Sequence, residues 1–161
     1  MQSRLGTFVA SLRRYLLALG HSAIDSSTVE LVRLDDQYVP YLGDRRLQTL
    51  GSASDGPRVI AAYTLALADA SGKVGGLHPG FVILDEPLQQ NPDSSHRALF
   101  VDFLAEKLAR EATFQTIVLT SLGPNELDRL REKGTRVETP TGAHFLHPVP
   151  PPTEPEQAPP G

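Results

Sequence analysis

The sequence contains no cysteine. That absence removes disulfides, thiolate nucleophiles and Cys-ligated zinc together, and it fits a reducing cytosol. An excess of positive charge is also lacking. The net charge of −4 at pH 7 gives no global attraction to nucleic acid or to an anionic membrane, and leaves room only for a local basic patch. No apolar run approaches the ~20 residues that span a bilayer. The N-terminus, MQSRLGTFVASLRRYLLALGH, scatters its arginines instead of placing a short basic head before an apolar core, so it reads poorly as a signal peptide. A cytoplasmic chain without a membrane partner is the resulting expectation. No serine sits in a G-x-S-x-G turn, which argues against Ser-His-Asp hydrolysis. His144 and His147 lie three apart and would face opposite sides of a strand, while His78 and His96 are isolated. Surface histidines are therefore expected in place of a metal site.

What is present is ordinary globular material. The chain has 161 residues, 40% apolar and 21% charged, enough for one domain with a core. Leu5, Phe8, Val9, Leu12, Leu16 and Leu19 recur at helical steps, predicting an amphipathic helix over residues 1–21 that Gly20 closes. Val29 to Leu34 suggests a strand, Asp35 and Asp36 a turn, and Tyr38 to Leu42 a return strand whose Pro40 belongs at an edge or an end. After the loop GSASDG, the segment RVIAAYTLALADA is apolar almost all round and predicts a buried helix opened by Pro57. SGKVGGLHPG reads as a connector. FVILD and TIVLT read as strands covered on both faces of a parallel sheet. Between them Ala98 to Glu111 reads as an amphipathic helix, PNELDRLREK as a short helix stopped by Gly134, and Thr135 to Leu146 as a final strand or hairpin. The tail 147–161, HPVPPPTEPEQAPPG, cannot pack a core and reads as disordered or polyproline-like. Alternating helices and strands predict an α/β fold with a mostly parallel sheet flanked by helices.

In such sheets ligands bind beyond the carboxyl ends of the strands. Asp85, Glu86 and Ser121 all fall there. A buried strand that delivers a carboxylate to its end can hold the water shell of Mg²⁺. A second carboxylate beside it can orient or deprotonate an attacking water. Asp85 is the candidate metal-side acid and Glu86 the candidate base; the alternative is a solvated acidic turn.

FVILDEP resembles the Walker B segment of ATP-binding-cassette ATPases. The ordered set SASDGPRVIAAYTLALA, FVILDEP, LQQNPD, SHRALFVDFLAEKLARE, TIVLTS resembles the C-terminal half of the head domain of SMC-like chromosome and DNA-repair ATPases, over about residues 30 to 145. The resemblance implies that the chain is the C-terminal half of a P-loop NTPase fold, with domain limits 22–146 and with residues 1–21 as the root of a coiled coil. It implies ATP and Mg²⁺ as cofactors. It assigns Ser54, Gly56 and Arg58 to a signature loop that meets the γ-phosphate of ATP bound to the opposing subunit, where a helix N-terminus favours anions. It assigns Gln89, Gln90 and Asn91 to a D-loop at a head–head seam, and Ser121 to the switch position where many relatives place histidine. Asp55 and Pro57 depart from the Gly and Gln usual in the signature loop; an acid there repels phosphate unless it caps the helix instead.

A phosphate cradle of the form G-x-x-x-x-G-K-[ST] is missing. The near-miss SGKV, Ser71 to Val74, has Leu67 for the first glycine and Val74 for the hydroxyl residue. The implied partners are therefore a Walker A-bearing N-terminal lobe, on the same or a separate chain, a second head, and DNA. Arg13, Arg14, Arg45 and Arg46 are candidate DNA contacts or a solvated basic face. Without the cradle the chain alone is expected to be inactive. The competing expectation is a degenerate, non-catalytic lobe that dimerises or binds a partner.

Overall fold

The computed structural model describes residues 4–87, 94–108 (Lys107 by its backbone only) and 113–139. Helix α1 (Arg4–Ala18) buries Phe8, Leu12, Tyr15 and Leu16. That stripe lies on α2 (Asp55–Val74), whose Ala61, Ala62, Ala66, Ala68 and Ala70 are buried. Small side chains allow the two helix backbones to approach closely. Phe8 meets Tyr63 edge to face, centroids 4.9 Å apart, a favoured aromatic geometry. The seam also holds a charge. Asp69 is fully buried; its Oδ2 accepts from Ser11 Oγ at 2.6 Å, Lys73 Nζ at 2.7 Å and Arg14 at 3.0 Å, which offsets burial of the charge, while Oδ1 has no partner among the described residues.

Between the helices in sequence comes a small antiparallel sheet ordered β1-β2-β3, with β1 at Val32–Leu34, β2 at Pro40–Leu42 and β3 at Arg45–Arg46. Leu34 pairs with Pro40, so the proline opens the central strand, at an end as its missing N–H demands. The predicted strand over Val29–Leu34 is shorter, because Val29–Leu31 forms a 3-10 turn.

The second sheet has two parallel strands, β4 (Phe81–Asp85) and β5 (Gln115–Leu119), in register Phe81↔Gln115 through Asp85↔Leu119. Helix α3 (Ser94–Asp102) and a π-helical turn (Phe103–Leu108) connect them, and α4 (Pro124–Glu132) follows β5. The fold is α/β, but the parallel sheet is small and the antiparallel one has more strands.

Several expectations are corrected. Leu5 is exposed, outside the packed stripe of α1. Helix α2 is not buried all round, for Ile60 and Leu67 are 60% and 50% exposed. Ser71–Val74 belongs to α2 and not to a connector; Gly75, at φ 72°, ends the helix in the left-handed conformation. The predicted helix from Ala98 widens into a π turn, which buries the adjacent Phe103, Leu104 and Ala105 together. Neither β4 nor β5 is covered on both faces. Phe81, Ile83, Ile117 and Leu119 are 39–54% exposed and share one face by register, while Val82 and Leu84 are buried on the other. Residues 135–139 form no strand; the remainder of that predicted hairpin and the proline-rich tail lie outside the described residues. No helix among the described residues is long and apolar enough to cross a membrane.

Candidate functional site

Beyond the carboxyl end of the parallel pair, the chain places the two acids differently. Asp85 ends β4 on the bare apolar face and is exposed. Among the described residues its carboxylate makes no hydrogen bond or ion pair. Glu86 is half-buried and has φ 42°, a left-handed conformation uncommon for any residue but glycine. Its N–H donates to Leu119 O at 2.7 Å, which extends the strand pairing one residue further and holds the backbone in place. Its Oε1 accepts from Ser121 Oγ at 3.0 Å. Two residues 35 apart in sequence are thus joined, and they are the candidate base and the candidate switch residue.

The loop carrying Ser121 is fixed from behind. Arg97, on α3, donates to both oxygens of Glu126 at 3.0 and 2.9 Å and to Ser121 O at 3.3 Å. Glu126 Oε2 also accepts from the Gly123 N–H at 2.7 Å, closing the first turn of α4 behind Pro124. Hydrogen bonding from Arg97 holds the Glu126 carboxyl below its ordinary range, against a smaller opposing effect of burial. The fork-to-fork geometry is the strong form of such a pair. Neither Arg97 nor Glu126 is signalled by the sequence, since no local pattern announces a contact across 29 positions.

The signature-loop residues lie at the start of α2 and share no hydrogen bond or ion pair with the Glu86–Ser121 pair. Asp55 is fully buried and turned inward. It accepts from the Ser22 and Ser52 hydroxyls at 2.6 and 2.8 Å, from their N–H groups at 3.0 and 2.6 Å, and from Arg58 at 2.8 Å. Burial pushes its carboxyl up, but these donors together hold it far below the usual carboxylate range. Asp55 does not cap the helix: the N-terminus of α2 has no side-chain cap hydrogen bond, and the carboxylate is taken up by Ser22, Ser52 and Arg58 instead. Arg58 is buried on Asp55 and donates to Gly20 O at 3.2 Å, so its guanidinium is not presented outward. Ser54 and Gly56 remain accessible; a Cβ on Gly56 would meet nothing within 4 Å, so packing does not require the glycine.

Gln89, Gln90 and Asn91 lie outside the described residues. Lys73 of the rejected near-miss is helical and tied to Asp69. Arg13 is spent on Glu30 and Val32 O, and Arg14 on Asp69, which removes both from a free basic face. Arg45 and Arg46 are exposed. No group of three or more His, Asp or Glu among the described residues could cage a metal ion. Mg²⁺ does not need one, because it keeps several waters and takes oxygens from one or two carboxylates and from phosphate; the free, exposed Asp85 fits that donor set. No family model and no curated protein matches the sequence.

Proposed function

We propose that the chain is the C-terminal lobe of an SMC-like, ATP-binding-cassette-type ATPase head and supplies half of a hydrolytic site to a lobe that carries the phosphate cradle. The observation that carries this reading is Glu86, held in a strained conformation at the end of a parallel strand and hydrogen-bonded by Ser121 across the sheet. A left-handed glutamate costs about 1–3 kcal/mol, and strain of this kind persists where function uses the geometry. In this role Glu86 polarises the attacking water, Ser121 orients Glu86, and Asp85 holds the water shell of Mg²⁺. The bare face supports the same assignment: parallel strands are ordinarily covered on both sides, and Asp85 ends the face that lacks its cover. An apolar layer laid there by the second lobe brings its own groups to Asp85. Ser54 and Gly56 stay on a separate surface, where they meet ATP held by an opposing head. ATP-driven DNA repair or chromosome maintenance is the process implied by resemblance.

The test is Mg²⁺-ATP hydrolysis by the chain alone and mixed with a Walker A-bearing lobe of an SMC-type head from the same genome, each beside Glu86→Gln. Turnover only in the mixture, reduced at least ~100-fold by E86Q as for loss of a general base, is expected. Glu86-dependent turnover by the chain alone would overturn the half-site. A specific observation favours one second reading: Arg58 and Asp55 neutralise each other inside the fold. If the mixture associates and E86Q leaves its turnover unchanged, the chain is a non-catalytic binding lobe.

A further inference from the structure

Two non-glycine residues among those described have positive φ, Glu86 and Tyr38. The first belongs to the candidate site; Tyr38 lies in the hairpin loop between β1 and β2 and has no part in it. For a bulky side chain, φ 61° is a genuine outlier. The loop over-determines it. Tyr38 N–H donates to Asp35 O at 3.1 Å, Asp35 N–H donates to Val39 O at 3.1 Å, and Asp35 Oδ1 accepts from the N–H groups of Gln37 and Val39. Tyr63 Oη, from α2, donates to Tyr38 O at 3.2 Å. Glycine or asparagine would sit there with less strain, yet an aromatic ring stands there, 59% exposed.

That ring borders a shallow groove of about 260 Å³ between the hairpin and α2, lined by Tyr38, Pro40, Ile60, Tyr63, Thr64 and Gln48 among others. Ile60 is 60% exposed on its helix side. Two tyrosines flanking an apolar floor, with hydroxyl and amide groups at the margin, form the kind of surface that takes a polyproline II segment, whose preformed backbone loses little entropy on docking. The chain contains such a segment. Residues 147–161 read HPVPPPTEPEQAPPG, with Pro150, Pro151 and Pro152 in succession and Pro152-Thr-Glu-Pro155 at the spacing those grooves read. Pro151 is twelve positions beyond Thr139, a reach of about 37 Å in polyproline II, and a domain of this size is about 35 Å across. Charge agrees. The tail carries Glu154 and Glu156 and no lysine or arginine. Arg45 and Arg46 are exposed on β3, the strand paired with β2; the exposed acids in the two turns of this sheet are Asp36 and Asp44.

We propose that the proline-rich segment 147–161 of this chain docks in the Tyr38–Tyr63 groove. The test uses the full chain labelled with 3-fluorotyrosine, which has four tyrosines to report, assigned by single Tyr→Phe variants. Replacing Pro150, Pro151 and Pro152 by alanine is expected to shift the Tyr38 and Tyr63 resonances and to leave buried Tyr15 unmoved. Adding a synthetic 147–161 peptide at millimolar concentration is expected to reverse the shift. Tyr38→Asn is expected to remove the response of Tyr63 while the fold persists. Identical spectra for the natural chain and the triple variant would overturn the proposal. A response in the natural chain that fades on hundredfold dilution would overturn the intrachain assignment, since the tail would then come from a second copy. ATP takes no part in these readouts, so they stand apart from the hydrolysis test.

Discussion

Asp55 is the residue whose role changes most between sequence and structure. A carboxylate at the start of a phosphate-facing helix repels its ligand, whereas this one is turned into the core and accepts from Ser22, Ser52 and Arg58. Removing it leaves Arg58 buried without its counter-ion, and Asp55→Ala is expected to cost about 3–5 kcal/mol, read as a fall in the denaturant midpoint. His21 is packed beside the same pair, almost fully buried, with Nδ1 accepting from the Ala23 N–H at 3.2 Å. Burial, the largest influence, lowers its pKa; Asp55 opposes and Arg58 adds to the lowering. Protons therefore bind the unfolded ring more readily than the folded one. The stability that follows is present above pH 6.5, the ordinary value, and is lost as pH falls from there toward the lower folded pKa, with a slope no steeper than about 1.4 kcal/mol per pH unit. Unfolding curves between pH 7.5 and 5 are expected to show this loss, and His21→Asn, which keeps an acceptor for Ala23, is expected to flatten it. Tyr38 gives the opposite sign. Tyr38→Asn relieves the left-handed strain and is expected to raise stability by about 0.5–1 kcal/mol, even though it deletes an aromatic ring.

At the scale of elements, the link that matters is the one between α3 and the turn into α4. Arg97 and Glu126 are each about a quarter exposed at the side chain, bidentate, and joined to Ser121 O and Gly123 N–H. A double-mutant cycle with Arg97→Ala and Glu126→Ala is expected to give a coupling of about 1 kcal/mol, at the upper end for pairs of this exposure. Arg97→Lys is expected to recover only part of it, because an ammonium cannot bridge both oxygens. The helices were legible: the three- and four-residue spacing of Phe8, Leu12 and Leu16 located α1, and the Ala-rich run located α2. Pro124 and Gly134 bracketed α4. The carboxyl-end placement of Asp85, Glu86 and Ser121 followed from two short apolar runs. What was not legible has a common cause. An apolar run of β-branched residues looks the same whether its second face is covered by its own chain or left for another, so Ile83 and Ile117 were read as buried. Helical periodicity likewise cannot foresee a π turn, which depends on how many side chains the core accepts from one segment. Long-range polar contacts such as Arg97–Glu126 leave no local pattern at all.

At the scale of the whole molecule, the described residues leave one apolar sheet face exposed. Phe81, Ile83, Ile117 and Leu119 form a contiguous apolar surface across two parallel strands, and both strands are edges of a two-stranded sheet. Such strands invite another apolar layer or another strand. The opposite face holds Val82 and Leu84 in the core, so the bare face can be altered without touching the packing beneath. Ile83→Thr with Ile117→Thr keeps two β-branched side chains in the strands and adds a hydroxyl to each where water already reaches. Stability of the isolated chain is expected to change by no more than about 0.5 kcal/mol per site. If the face is the seam with the cradle-bearing lobe, two effects follow together. Sedimentation velocity of the mixture should show the double variant associating less with the cradle-bearing lobe than the natural chain does at the same concentration. The Mg²⁺-ATP turnover of the lobe mixture should fall with it, because a lobe that no longer seats on the face cannot bring its phosphates to Asp85 and Glu86. Turnover that survives the double substitution unchanged would place the seam elsewhere on the molecule.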